Sequence, residues 1–117
     1  MLTVVNFSHP TRAELLAPVL GCEPDEVNLI RIPVQVEDWN KLSAYAAFLV
    51  QKAVEEAGGA LNIDCIIPPG HGTVSAAVTA QFAREHYIPN IVVVARIGDV
   101  LPPRFEPVAL IRGGRIC

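Results

Sequence analysis

The sequence has few cysteines, few basic residues and no long apolar run, and each shortage excludes a class of protein. Its three cysteines, Cys22, Cys65 and Cys117, show no CxxC spacing, so neither a disulfide framework nor a zinc ribbon is predicted. Cys65 lies in an apolar segment and is expected to be a small core residue, whereas the other two are expected to be loop or tail thiols. Nine Lys and Arg against twelve Asp and Glu give a formal charge of -3, the wrong sign for a protein that coats duplex DNA.

The sequence also shows no segment with the composition of a membrane span or a signal peptide. No apolar run approaches the roughly 20 residues of a membrane span, and the start MLTVVNFSHP has no basic region or cleavage site typical of a signal peptide. We therefore expect a cytoplasmic protein without membrane contact. Hydrophobic residues make up 51% of the 117 residues, which is enough for one ordinary core and predicts a single domain over residues 1–117.

Alternating strand and helix patterns predict the fold class. Short apolar, β-branched segments favour strands, and they lie at 2–7, 27–36, 61–67, 91–97 and 108–112. With helices between the first four, the order β-α-β-α-β-α-β-β predicts an α/β, Rossmann-like three-layer domain with a mostly parallel sheet. The last strand is expected to be an antiparallel edge, because the connection before it is too short to contain a crossover helix.

Residue types at the segment ends set further expectations. Pro33 lacks an N–H, so the second strand is expected at a sheet edge, whereas the nearly all-apolar segment 91–97 is expected to be covered on both faces. Residues 11–14 (TRAE) match a capping box for the first helix. Asp38 is expected to cap the second helix, and the third is expected to begin near Thr73.

Polar groups follow the first and the third predicted strand. In an open parallel sheet, a ligand binds beyond the carboxyl ends of the strands, where the crossovers diverge. These two loops, 6–12 and 69–75, therefore form the predicted ligand site. The candidate ligand-binding residues of the two loops are Asn6, Ser8, Thr11, Arg12, Gly70, Gly72, Thr73 and Ser75.

The second loop has the chemistry of an anion site. Glycines let backbone approach a phosphate, and the N–H groups at a helix N-terminus favour negative charge by about 0.3–1 kcal/mol. The loop matches neither GxGxxG nor the Walker pattern, so a glycine-rich turn that only begins a helix is an equal alternative. Arg12, in the predicted first turn, opposes the helix dipole unless an anion binds there. Arg104 follows two prolines and is a candidate for a second phosphate.

Two histidines, His9 and His71, are the candidates for acid–base catalysis, because both fall at the predicted ligand site. The alternative for each is a loop histidine that hydrogen-bonds to backbone. His86 is expected to complement the dipole at the end of the third helix. Ser8 beside His9 lacks the G-x-S-x-G context of a hydrolase nucleophile. No ligand spacing for a metal is present, so neither a metal nor a cofactor is predicted.

Four motifs occur in an order that resembles a known family. They are NFSHPT at 6–11, IPVQV at 32–36, IPPG at 67–70 and PPRFEPVALI at 102–111. Together they span nearly the whole chain and resemble the Csx-fifteen family of small CRISPR-associated proteins. The resemblance implies a Rossmann-like domain related in architecture to CARF domains. It also implies action on the cyclic oligoadenylate messenger of type III CRISPR systems.

Three functions are compatible with the residues and the resemblance. The first is a ring nuclease in which a ribose 2′-OH attacks the adjacent phosphorus without a metal and leaves a 2′,3′-cyclic phosphate. The second is a protein that sequesters the messenger without hydrolysis, and the third is a Rossmann-like module that binds another nucleotide. A C2 homodimer is expected, because the twofold axis presents the same loops to opposite halves of cyclic tetra-adenylate.

Overall fold

The computed structural model describes residues 1–98 and 104–114. The Pro102–Pro103 link and the Cys117 thiol lie outside these residues. The described strands are β1 (Leu2–Asn6), β2 (Val27–Arg31), β3 (Cys65–Ile67), β4 (Ile91–Ile97) and β5 (Arg104–Ile111). The described helices are α1 (Ala13–Leu20), α2 (Leu42–Ala57) and α3 (Gly72–Glu85), with short 3₁₀ turns at Pro24–Glu26, Trp39–Lys41 and Ala60–Asn62. Within this part of the chain, each predicted strand and helix is present in the predicted order.

The strands form one sheet in the order β2-β1-β3-β4-β5. β1 pairs in parallel with β2 and β3, β3 pairs in parallel with β4, and β5 is antiparallel to β4. The predicted edge position of the second strand and the predicted antiparallel last strand are both confirmed. The chain moves from β1 outward to β2 and then returns past β1 to β3, so the connections diverge between β1 and β3. The α/β class with a mostly parallel sheet is confirmed, and the arrangement is compatible with a Rossmann-like fold.

Helices cover both faces of the sheet. Val4 and Val5 are consecutive residues of β1 with no exposed surface, and consecutive strand residues point to opposite faces. Val5 belongs to a core cluster with residues of α2 and α3, such as Leu49 and Phe82, whereas Val4 belongs to a second cluster with Leu16 of α1. The domain therefore has three layers, with α1 on one face and α2 and α3 on the other.

Two predicted strands are shorter than their apolar segments, because each is a strand only where it pairs with β1. The predicted strand 27–36 stops at Arg31, which pairs with Asn6, the last residue of β1. The predicted strand 61–67 is reduced to Cys65–Ile67, alongside the second half of β1. The residues before it form a 3₁₀ turn that the Tyr87 hydroxyl contacts by hydrogen bonds to the carbonyls of Ala60 and Ile63 at 2.7 and 2.9 Å.

The start of α1 differs from the predicted capping box. Arg12, in extended conformation at φ -143, occupies the N-cap position without a side-chain cap, and the Thr11 hydroxyl is buried with no hydrogen-bond partner among the described residues. Asp38, predicted to cap the second helix, caps a 3₁₀ turn instead: its Oδ1 accepts a hydrogen bond from the Asn40 N–H at 3.0 Å, and Lys41 is the N-cap residue of α2. The Asp38 cap begins the 3₁₀ turn immediately before α2.

The expectation that residues 91–97 are covered on both faces is wrong. Val92 is the one fully buried residue of β4, and Arg96 is exposed. β4 continues for several residues past the end of β3, so one of its edges borders open space there. None of the described helices combines the length and the apolar composition needed to cross a bilayer.

Candidate ligand-binding cleft

An open cleft of about 840 Å³ lies at the carboxyl edge of the sheet. Its walls include residues 7–10 after β1, residues 67–71 after β3 and parts of β4 and β5. The volume lies in the range of roughly 300–1,000 Å³ that is usual for small-molecule sites. The position between β1 and β3 is the place where the connections diverge, which is where open α/β sheets bind ligands.

Asn6 shapes the loop after β1. The residue is 1% exposed, its Nδ2 donates to the His9 carbonyl at 2.9 Å, and its Oδ1 accepts from the Ser8 N–H at 2.8 Å. Both ends of the amide are therefore engaged within the loop. Asn6 holds Ser8 and His9 at the cleft rather than offering its own side chain to a ligand.

The His9 ring stacks on Phe105 of β5. The ring centroids are 4.6 Å apart and the planes differ by 12°, and both residues line the cleft. Arg104 is the neighbour of Phe105 on the strand, so its side chain points to the opposite face of the sheet. The sequence predicts Arg104 of the PPRFE motif as a phosphate-binding residue, but its neighbour Phe105 is the residue that contacts His9.

Gly70 brings the second loop against the first. A Cβ placed on Gly70 would lie 3.7 Å from Ser8 Oγ and 3.9 Å from His9 Nε2. These are ordinary van der Waals distances, so the space beside Gly70 is just wide enough for one methyl group. The two loops that were predicted to form one site are therefore adjacent.

His71 is the N-cap residue of α3. Its Nδ1 accepts a hydrogen bond from the Thr73 N–H at 3.2 Å, so the neutral ring carries its proton on Nε2. The ring lies against Trp39, with centroids 5.1 Å apart and planes at 46°. The backbone-bonded alternative considered for a loop histidine thus applies to His71. The Nε2–H remains as a donor for a ligand.

Several other predicted ligand residues do not line this cleft. Besides Asn6, those outside the lining, among the described residues, are Thr11, Arg12, Gly72, Thr73, Ser75 and Arg104. The Thr73 N–H, expected to face an anion, is used by His71, and the Ser75 N–H donates to the His71 carbonyl at 2.9 Å. The helix N-terminus is therefore partly satisfied by the protein itself.

Arg31 and Trp39 also line the cleft, although neither is among the site residues that the sequence predicts. Arg31 is the last residue of β2 and pairs with Asn6, so it ends at the same edge of the sheet as the two loops. That register could not be read before the end of the strand was known. Trp39 precedes α2 in the 3₁₀ turn capped by Asp38.

The titratable side chains of Cys65, Tyr87 and His86 lie away from the cleft and contact other parts of the fold. Burial, the main cause, raises the pKa of the Cys65 thiol from 9.0 to about 12, and Cys65 is a core residue as expected. Burial also raises the pKa of Tyr87. His86 follows the last residue of α3 and lies 3.9 Å from the Glu85 carboxylate. No group of three or more His, Cys, Asp or Glu side chains in residues 1–98 and 104–114 is arranged to hold a metal ion.

The fold and the cleft define an α/β domain with an open ligand site at the carboxyl edge of a mostly parallel sheet, flanked by two imidazole–aromatic pairs. Comparisons with protein-family models, with curated proteins and with solved structures return no match for the chain.

Proposed function

We propose that the cleft binds an adenylate phosphodiester, and that the ligand is cyclic tetra-adenylate shared between two subunits. The observation that carries the proposal is the presence of two ring pairs at the cleft, His9 stacked on Phe105 and His71 tilted against Trp39. Aromatic rings that stack on nucleobases contribute about 1–3 kcal/mol per base. Two such pairs on one cleft suit a ligand that carries more than one base.

Few phosphate contacts are needed, and the cleft provides donors of the right kind. Arg31, the Ser8 hydroxyl and the His71 Nε2–H are all available at its wall. A guanidinium binds phosphate oxygens through charge-assisted hydrogen bonds. This local set agrees with a formal charge of -3, because the protein does not need a basic surface to hold a small anion.

The resemblance to the Csx-fifteen family supports the choice of cyclic oligoadenylate among nucleotides. It also supports a relation in architecture to CARF domains, which is part of this proposal. The motif NFSHPT supplies Ser8 and His9, and IPPG supplies Gly70. These residues line the cleft, so part of each of the two motifs forms the cavity wall.

A dimer accounts for the size of the ligand. A ring of four nucleotides extends beyond one cleft of about 840 Å³, so a second subunit related by a twofold axis would hold the other half. Trp39 is 53% exposed and Phe48, on α2, is 55% exposed. Exposed aromatic residues are typical of interaction surfaces, and Trp39 also lines the cleft. In the proposed dimer, Trp39 and the exposed face of α2 that carries Phe48 lie near the twofold axis.

A second candidate, cleavage of the ring, is favoured by the accessibility of His9. The ring is exposed, and no described side chain occupies its nitrogens. His9 would accept the proton of the 2′-OH as its oxygen bonds to phosphorus and the P–O5′ bond breaks, and the leaving O5′ would take a proton from solvent water to become the 5′-OH. The His71 Nε2–H would stabilise charge on the phosphoryl oxygens. His71 is a poor base here, because its Nδ1 lone pair holds the helix cap.

Calorimetry with cyclic tetra-adenylate tests binding. We expect saturable binding at two protein chains per ring, and we expect Phe105→Leu to weaken it about 5- to 20-fold, the effect of losing most of one stacking contact. Val108→Ala, an exposed apolar residue on the same strand, serves as the matched control and should bind like the parent. Absence of binding by the parent protein would overturn the proposal.

Chromatography of the reaction products separates cleavage from sequestration. The protein is incubated with cyclic tetra-adenylate in the presence of a chelator, and His9→Ala is compared with His86→Ala, which removes a histidine outside the cleft. A ring nuclease would yield 2′,3′-cyclic phosphate ends, and His9→Ala alone would lose the activity. Intact ring at high protein excess would leave binding as the function and exclude intrinsic cleavage.

A further inference from the structure

The seam between β3 and β4 is unusually short, and this leaves part of β4 unpaired. β3 contacts β4 through the register pair Ile66–Ile91, whereas β4 pairs with β5 along its whole length. After Ile66, the next residue of the β3 side that would donate a ladder hydrogen bond is Pro68, which has no N–H. The ladder therefore stops, and β4 runs on beside the cleft.

Alternation along β4 identifies the groups on the open edge. The N–H and C=O of a strand residue point to the same edge, and those of the next residue point to the other. The Asn90 carbonyl accepts from the Ile66 N–H at 2.9 Å, so the backbone groups of Val94 and Arg96 also point toward the β3 side. Within residues 1–98 and 104–114, neither residue has a backbone partner on that edge.

This edge borders the cleft and can be reached from it. Val94 lines the cleft and is half-buried, and Arg96, two residues further along the same edge, lies just beyond the lining and is exposed. Arg96 is the register partner of Phe105, the residue on which His9 stacks. A base placed in the gap would therefore meet backbone hydrogen-bonding groups at its edge and aromatic rings beside it.

We infer that the open edge of β4 reads the base of the nucleotide, with the Val94 carbonyl accepting from the adenine N6 amino group and the Arg96 N–H donating to adenine N1. The inference rests on the proposed function, because it assumes a nucleotide in the cleft. A carbonyl followed two residues later by an N–H on one edge offers an acceptor and a donor side by side. Adenine presents the complementary donor and acceptor on its Watson–Crick edge. Guanine has the acceptor O6 where adenine has its N6 amino group, and the donor N1–H where adenine has N1. With the ribose held at Ser8 and His9, O6 would therefore face the Val94 carbonyl and N1–H would face the Arg96 N–H, and neither pair can form a hydrogen bond.

A donor or acceptor left unpaired at the edge of the base is the physical basis of the discrimination. A site built to bond a particular group rejects an analogue that leaves its own donor or acceptor unpaired. The two β4 groups are main-chain atoms, so the selectivity does not depend on the identity of the valine or arginine side chain. Adenine selectivity is therefore expected to survive side-chain replacement and to fail when the backbone donor is removed.

A pair of variants at one position isolates that donor. Arg96→Ala removes the guanidinium and keeps the N–H, whereas Arg96→Pro also removes the N–H, which faces away from the β5 ladder and so leaves that ladder intact. Each protein is titrated with the adenylate dinucleotide ApA, with its 1-deazaadenine analogue and with GpG, and thermal denaturation confirms that both variants are folded. A third variant, Arg96→Gly, keeps the N–H and controls for backbone change if the proline variant is destabilised.

The parent and Arg96→Ala should bind ApA roughly 5- to 30-fold more tightly than the 1-deaza analogue, and GpG more weakly still. Arg96→Pro should bind ApA and its analogue equally. If the parent binds ApA but the analogue or GpG binds as tightly, the base-reading inference is wrong while the proposed function stands. If the parent binds none of these probes and no cyclic tetra-adenylate, both are wrong.

Discussion

Replacement of His71 separates its structural role from its chemical one. The His71 Nδ1 caps α3 through the Thr73 N–H at 3.2 Å, and loss of an N-cap side chain costs about 0.5–2 kcal/mol. We take about 1 kcal/mol for His71→Ala, because a bond of 3.2 Å is at the long end of the range for such contacts. His71→Asn removes the imidazole but restores a good capping side chain.

The expected shift in melting temperature follows from the size of the domain. The entropy of unfolding is about 2.1 cal/mol/K per residue, which over 117 residues gives about 0.25 kcal/mol/K. His71→Ala should therefore melt about 4 °C below the parent protein. His71→Asn should melt within about 1 °C of it. Both variants lose the contact with Trp39, so the difference between them measures the cap alone.

Calorimetry or circular dichroism provides the melting temperatures, and titration with cyclic tetra-adenylate provides the affinities. Both variants should lose affinity to a similar extent, because both lack the Nε2–H. Equal melting temperatures for His71→Ala and His71→Asn would refute the capping role. Full affinity in His71→Asn would show that the imidazole does not contact the ligand.

Three further predictions concern the core and the loops. The folded Cys65 thiol holds its proton to about pH 12, whereas the unfolded thiol ionises near 9.0, so the contribution of Cys65 to the free energy of unfolding is fully present below about pH 9 and is lost above it, by at most about 1.4 kcal/mol per pH unit. Urea unfolding at about pH 8 and about pH 10.5 should show this decrease in the free energy of unfolding, and Cys65→Ala should make the decrease smaller. Asn6→Ala should cost about 1–3 kcal/mol in urea unfolding, because it leaves the Ser8 N–H and the His9 carbonyl without their partner; a change near zero would show that the amide does not order the loop. Gly70→Ala should leave the melting temperature almost unchanged, because its methyl meets only van der Waals contacts, but it should weaken cyclic tetra-adenylate binding in calorimetry; unchanged affinity would place the ligand away from this loop.

The order of the elements could be predicted from the sequence, because strand and helix periodicities are local properties. The ends of the strands could not, because they depend on partners. The apolar segment 61–67 satisfies the pattern of a strand, yet β1 lies alongside only Cys65–Ile67. The sequence predicts that the last strand begins at residue 108, whereas β5 begins at Arg104. Pro107 lies at an irregularity in the β4–β5 register, and this irregularity interrupts the alternation of apolar and polar residues along the strand.

The two loops of the cleft could also be predicted, since strand ends in a parallel sheet meet at one edge. The direction of individual side chains could not. Asn6 and His71 have side chains of a type that suits ligand binding, but both side chains form hydrogen bonds with the backbone of their own loops. Phe105 reaches His9 because β5 returns antiparallel beside β4, a non-local consequence of pairing that no local motif encodes.

The single bridge between β3 and β4 also affects how the domain can move. Every other ladder in the sheet is longer, from the three register pairs of β1 with β3 to the full length of β4 with β5. The β4–β5 ribbon is therefore paired with β3 at one register position, Ile66 and Ile91, while Val92 and Leu110 anchor its near half in the core beside Leu16. A displacement of its far end, where Arg96 pairs with Phe105, would change the width of the cleft while the hydrogen bonds between β4 and β5 stay intact. Ligands of different bulk would be accommodated at the seam, without unfolding of the core.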